Sequence, residues 1–204
     1  CTASATAPYA HDGIGPFPGE NLLENSGFEA GLSAWRDYVD TRATINETRF
    51  DAGSKALDLK GAKLNQIRQS LTSAFELTGP GRYRVSFRAY TEGTDQAATL
   101  EIGVKGSEDD QTDVHWWAPK TRVKPATRTA LKRNEWTTVE WEGDVSWNGL
   151  MEMGYLLLEG YSPTQVNLTL DSVRIEKVSA INGERQEKWV PKEGRYTIRS
   201  LRIR

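Results

Sequence analysis

From Asn21 to about Lys177, hydrophobic and polar positions alternate in short runs, each closed by a cluster of Gly, Pro, Asn or Asp. Period-two alternation puts successive side chains on opposite faces of an extended chain, so each run predicts a strand buried on one side. Eight strands are legible: Arg42–Asn46, Lys55–Lys60, Gln66–Leu71, Arg82–Thr91, Ala98–Lys105, Thr137–Glu142, Glu152–Glu159 and Asn167–Lys177. The sequence carries no long amphipathic helical pattern. Many short strands spaced by turn residues predict an all-β sandwich or barrel.

The longest runs assign faces. Tyr83, Val85, Phe87 and Ala89 fall on one side of their strand, with Arg84, Ser86, Arg88 and Tyr90 on the other. Leu100, Ile102 and Val104 face inward, as do Leu156 and Leu158, which leaves Tyr155, Leu157 and Glu159 facing out. If these three strands share a sheet, their outer faces bring Arg88, Tyr90, Tyr155 and Glu159 onto one polar, partly aromatic surface open to a ligand. Trp116 and Trp117 follow the very polar stretch 106–113. Adjacent residues of a strand point to opposite sides, so one of the two packs inward and the other is available for stacking.

Composition narrows the possibilities. A chain of 204 residues, 37% apolar, is long enough for one well-buried domain with extra segments. Lys plus Arg at 26 against Asp plus Glu at 28 gives no electrostatic reason to expect nucleic acid or an anionic membrane as a partner. Seven Trp and seven Tyr point to a rich core or to flat surfaces for stacking. The one cysteine is Cys1, so no disulfide forms within the chain. Followed by the small residues Thr2 to Pro8, Cys1 reads either as the lipid-bearing residue of a bacterial lipoprotein after signal cleavage or as the boundary of a fragment. Residues 1–20 then form a flexible tether, 21–178 the sandwich, and 179–204 an extension or a connector to a further domain.

Several stretches resemble the β-sandwich carbohydrate-binding modules of families four, nine and twenty-two. They are the opening Asn25-Ser-Gly-Phe28-Glu29 with Trp35, the strand Gly53 to Leu59, Gln69, the strand Gly79 to Ala89, Glu135-Trp136-Thr137, Leu158-Glu159-Gly160, and Leu168-Thr-Leu-Asp171. The resemblance implies a jelly-roll of two antiparallel sheets with a concave ligand-binding face. It also implies a structural calcium held by Glu29 and Asp171, with carbonyl oxygens from the turn Gly53-Ser54-Lys55. Trp35-Arg-Asp-Tyr38 is similar to a stretch of glucan-binding members whose Tyr lies in the cleft, which gives Tyr38 that role. Glu159 matches a Glu-Gly step that some xylan-binding members use in recognition. Residues 185–188 and 196–199 are faintly similar to the connector leading into a family-ten xylanase domain.

The expectation is therefore a noncatalytic module that binds a polysaccharide, with xylan or β-glucan favoured. It would work outside the cell or at a bacterial cell surface, with a covalently linked catalytic domain as a possible partner and the membrane reached only through a lipid on Cys1. Two other classes stay open: a structural or adhesive sandwich packed on a neighbouring domain, and a jelly-roll enzyme that degrades glycans. The enzyme reading lacks a signature. The sequence holds no Gly-x-Ser-x-Gly turn, paired-His metal motif or phosphate-binding glycine loop, and no spacing singles out a carboxylate pair among Glu101, Glu152 and Glu159.

Overall fold

The alternating runs close into two antiparallel sheets that face each other across one apolar core. The computed structural model describes residues 19–38, 42–109 and 121–180. Trp116, Trp117, nearly all of the expected tether and most of the C-terminal extension lie outside the described residues. The six-stranded sheet has the order β1 (Trp35–Tyr38), β4 (Leu64–Ser70), β10 (Met151–Tyr161), β6 (Ala97–Gly106) and β7 (Thr121–Val123), with β8 (Thr129–Ala130) also pairing β6. The five-stranded sheet has the order β2 (Arg42–Asn46), β3 (Ala56–Lys60), β11 (Asn167–Ala180), β5 (Gly81–Thr91) and β9 (Thr137–Val145). All eight expected strands are present, most of them a residue or more longer than expected at one or both ends.

The expectation that β5, β6 and β10 share a sheet is corrected. β6 and β10 are neighbours, but β5 lies in the opposite sheet between β11 and β9. Alternation reports which side of a strand is buried, and a strand packs its apolar side on the core equally well from either layer. The crossing is made by a helix that periodicity did not reveal, α1 (Thr72–Thr78), which carries the chain from β4 in one sheet to β5 in the other. Phe75 drops from this helix into the core, edge-on to Tyr83 at 5.2 Å and 5.9 Å from Trp147. Gly154 makes room for it, since a Cβ there would lie 2.6 Å from the Phe75 ring.

The helix end is closed by buried polar groups. Tyr83 donates to the Gly79 carbonyl at 2.5 Å and sits 2.7 Å from the Thr78 hydroxyl, while the Lys177 ammonium donates to the Thr78 carbonyl. The last carbonyls of a helix lack intrahelical partners, and these side chains supply them. Burial pushes the Tyr83 phenol up and brings the Lys177 ammonium down to about 8.

The opening motif folds as a compact turn on the same core. The Asn25 side chain donates to the carbonyls of Gly31 and Ser33 and accepts from the Ala30 amide. This places Phe28 against Trp35 at 5.3 Å, both buried. Gln69, also buried, exchanges two hydrogen bonds with the backbone of Glu24. Residues 21–26 then run antiparallel to β11: Leu22 donates to the Ile175 carbonyl at 2.9 Å, Asn21 bonds Val173 and Ile175, and Val173 donates to the Ser26 carbonyl at 3.0 Å.

Candidate functional site

The outward face of the six-stranded sheet is built by register. In antiparallel pairs, directly opposed residues share a face. One row across the sheet therefore reads Arg36, Arg68, Leu157 and Glu101. The next row reads Gln66, Glu159 and Thr99, with the backbone of Tyr38 paired to Gln66, and on the other side lie Ser70, Tyr155, Gly103 and Arg122. Two depressions open on this face. A larger one of about 650 Å³ includes Trp35, Arg36, Arg68, Ser70 and Tyr155; a second of about 440 Å³ includes Glu101, Lys124, Arg128, Glu159 and Tyr161.

The middle of the face is pre-ordered. Tyr155 lies flat over Gly103, so closely that a Cβ on that glycine would sit 2.3 Å from the ring, and its hydroxyl donates to Glu101 at 2.9 Å. Glu159 accepts from the Gln66 amide at 2.8 Å and from two nitrogens of Arg128 at 2.9 and 3.1 Å. Arg128 in turn covers the Tyr161 ring at 4.4 Å. The result is a half-buried aromatic surface flanked by carboxylates and guanidinium groups whose positions are set before anything binds.

The structure thus brings Tyr155 and Glu159 onto one face and places the backbone of Tyr38 in the same row as Glu159. Arg88 and Tyr90 are not there. Both lie on the outer side of the five-stranded sheet, where Arg88 bonds Asp51 and Thr138, and Tyr90 packs 5.6 Å from Trp136 under the Arg49 guanidinium. The shared-surface expectation fails for them because β5 changed layers. Trp147, set in a turn, is buried against Phe75 and belongs to the core. Sequence reading passed over Arg36, Gln66, Arg68 and Arg128. The signal for Gln66 and Arg68 was available, since both alternate with the inward Ile67 and Gln69; Arg128 lies in a loop without periodicity.

Glu29 and Asp171 converge on one loop. Asp171, fully buried, accepts from the amides of Asp51 and Ala52 at 2.8 and 3.0 Å through one oxygen and from Ser172 at 2.5 Å through the other. Glu29, exposed, accepts from the Ser54 and Lys55 amides through Oε1 and from the Ser54 hydroxyl through Oε2. Those bonds, the Ser54 hydroxyl foremost, hold its carboxyl below the usual carboxylate range. Its contribution to stability is therefore present above the ordinary carboxylate pKa and is lost as pH falls through the lowered one. Gly53 has φ +72, and a Cβ there would lie 2.2 Å from Glu29 Oε1, so the loop closes over the carboxylate only with glycine.

The donor chemistry fits a hard cation. A carboxylate offers about four acceptor sites, and the bonds just described take three on each residue, leaving Glu29 Oε2 and Asp171 Oδ1 with capacity. Among the described residues no group of three or more His, Cys, Asp or Glu side chains is placed to hold a metal. A cation here would draw its remaining ligands from main-chain oxygens, as calcium does.

Comparison with known proteins agrees with this fold. A family model described as a carbohydrate binding domain matches residues 20–145. No curated protein matches the sequence. Among solved structures, the CBM22-1 xylan-binding domain from Paenibacillus barcinonensis Xyn10C superposes with a TM-score of 0.62 at 16% identity, covering 80% of this chain and 98% of that one. The C-terminal family 22 carbohydrate binding module of Clostridium thermocellum Xyn10B gives 0.54 at 15% identity, over 78% and 94% of the two chains. The CBM22-1-GH10 modules of Clostridium thermocellum Xyn10B, solved with xylohexaose, give 0.55 at 16% identity over 78% of this chain and 29% of that one. At these identities the likeness is one of fold.

Proposed function

Because this chain belongs to the carbohydrate-binding domain family, we propose that it holds a polysaccharide along the outward face of the six-stranded sheet without cleaving it, and that the polysaccharide is a xylan or a β-glucan. The observation that carries the site is Tyr155, laid flat over Gly103 and anchored to Glu101 on an open face. A pyranose ring presents C–H groups on its faces and hydroxyls on its edges, so a flat aromatic bordered by charged hydrogen-bonding groups complements both. Xylan is supported by Glu159-Gly160, which resembles a Glu-Gly step that some xylan-binding members use in recognition, and by what the structural neighbours bind.

The same reading gives the module a targeting role, concentrating a covalently linked catalytic domain or a cell surface on its substrate. One structural neighbour comprises a module of this fold together with a GH10 module. The setting is extracellular, with any membrane contact made by a lipid on Cys1. Affinity electrophoresis across xylan, β-glucans, mannan and alginate tests the proposal. Retardation by xylan or β-glucan, weakened in Tyr155→Ala and Glu159→Gln with unchanged melting temperature, is expected. Indifference to every glycan would overturn it and favour the structural sandwich.

A structural calcium completes the proposal. Glu29 and Asp171 would hold it with carbonyl oxygens of Gly53 and Lys55, and the bound ion would supply positive charge joining the opening motif, this loop and β11. A ligand bound only by the folded state raises its stability. Calcium should therefore raise the melting temperature of chelator-treated protein, and Asp171→Asn should abolish that rise. A melt insensitive to both chelator and calcium would remove the ion from the proposal.

A further inference from the structure

The smaller depression, of about 440 Å³, is lined by β10, β6 and the loop that joins β7 to β8. That loop brings Arg128 against the sheet. Its Nε and Nη2 both donate to Glu159 Oε1, at 3.1 and 2.9 Å, and its guanidinium carbon stands 4.4 Å from the centre of the Tyr161 ring. Gln66 holds the other oxygen of Glu159 at 2.8 Å. The Arg128 side chain is nonetheless 46% exposed, and an ion pair so open to water adds little to stability while the long side chain gives up rotamer freedom. The clamp fixes an arginine at the edge of a cavity without a gain in stability that would account for it.

Both partners keep bonding capacity. Arg128 retains Nη1 and the second hydrogen of Nη2 as donors with no partner among the described residues, and Glu159 Oε2, bonded to Gln66, can accept once more. We propose that the smaller depression is a second sugar subsite governed by Arg128, whose remaining N–H groups donate to one hydroxyl of a sugar while Glu159 Oε2 accepts from its neighbour. The assignment rests on the carbohydrate-binding reading and extends its site. A sugar hydroxyl both donates and accepts, so adjacent hydroxyls on a ring edge match a donor and an acceptor held side by side. Tyr155 and Glu159 are separated along β10 by about 13–14 Å at the rise of an antiparallel strand. The depression beside Tyr155 lies toward β1 and β4, and the one beside Arg128 lies toward β6. A single pyranose does not reach both, so a chain of several sugars crosses β10 obliquely to fill them together. Arg128 thereby sets how much the face gains from a longer glycan.

The test titrates the whole chain calorimetrically with xylo- and cello-oligosaccharides, from the disaccharide to the hexasaccharide. In whichever series binds, affinity should climb at least about tenfold between trisaccharide and hexasaccharide, as hydrogen bonds to a charged group imply. Arg128→Ala should remove most of that gain while costing the trisaccharide no more than about twofold. Tyr155→Ala should weaken short and long chains alike, and both variants should keep the wild-type melting temperature. Arg128→Lys keeps the charge and loses the planar fork, so it should bind as Arg128→Ala does. An affinity that stops rising at the trisaccharide overturns the second subsite and leaves the carbohydrate-binding reading standing. A hexasaccharide affinity untouched by Arg128→Ala, or reduced only as much as that of the trisaccharide, also overturns it, as does full length dependence in Arg128→Lys. No binding in either series overturns the subsite together with the reading beneath it.

Discussion

Gly103→Ala is a sharp test of how the proposed binding face is built, because it adds one methyl group under the ring proposed to meet the sugar. The new Cβ would lie 2.3 Å from Tyr155 Cζ, 2.5 Å from Cε1 and 2.6 Å from the hydroxyl oxygen. Carbon atoms in contact settle at about 3.5–4.0 Å, so the ring must lift or turn by more than about 1 Å. That displacement breaks the 2.9 Å bond to Glu101 and tilts the stacking surface. Aromatic contacts are worth about 0.5–1.5 kcal/mol beyond burial, so affinity for a xylo-oligosaccharide should fall about two- to tenfold. Stability should barely move, since alanine in a strand recovers about 0.5–1 kcal/mol over glycine and offsets part of the crowding. Calorimetric titration with xylohexaose, run beside Tyr155→Ala and the double variant, measures the effect. The two single losses should be similar and the double no worse than either, because both remove the same contact. Wild-type affinity in Gly103→Ala alongside weakened binding in Tyr155→Ala would refute the idea that the glycine sets the ring.

Other consequences concern stability. Gly53→Ala should lower the melting temperature, since a non-glycine residue at this positive φ costs roughly 1–2 kcal/mol before the contact with Glu29 is counted; an unchanged melt would mean the loop closes some other way. Tyr83→Phe strands the Gly79 carbonyl at the end of α1, while the Thr78 hydroxyl keeps its bond to the Ala74 carbonyl, and should cost about 1–3 kcal/mol by urea denaturation, with glycan binding intact. Lys177 carries a pH signature. Its folded pKa of about 8 lies below the ordinary 10.5, so between those values the unfolded chain holds a proton that the folded chain has lost, and stability rises with pH. Urea midpoints at pH 8 and 9.5 should show that rise, and Lys177→Met should flatten it.

Much of the fold was readable because strands such as β5, β6 and β10 alternate over ten residues or more. Sheet membership was not, since the alternation of β5 is satisfied by either layer and only the crossing through α1 decides between them. That helix hid because it makes two turns and buries only Phe75 and Thr78, too few positions for a period to register. β1 hid for a similar reason: Trp35 is buried and Arg36 exposed, but four residues cannot establish a pattern. On the outward face, period two within one strand was enough to put Tyr155 and Glu159 on the same side. The opposed arginines were invisible, because 32 residues separate Arg36 from Arg68 and only the pairing of β1 with β4 makes them neighbours.

The antiparallel seam between residues 21–26 and β11 bears on how this domain would respond to force. Its N-terminal side begins next to Asn21, opposite Ile175, while β11 runs on from there to Ala180, still paired with β5. Tension applied through residue 20 against β11, which β5 holds in place, would load the hydrogen bonds of Leu22 and Asn21 first and those of Ser26 and Val173 later, opening the seam as a zipper instead of shearing it. Such a seam yields at low load, and the first part released would be the segment whose Glu24 backbone is clasped by Gln69, one layer beneath the arginines of the binding face. A pull on that segment would therefore disturb the arginine-bearing face before it unfolded the sandwich.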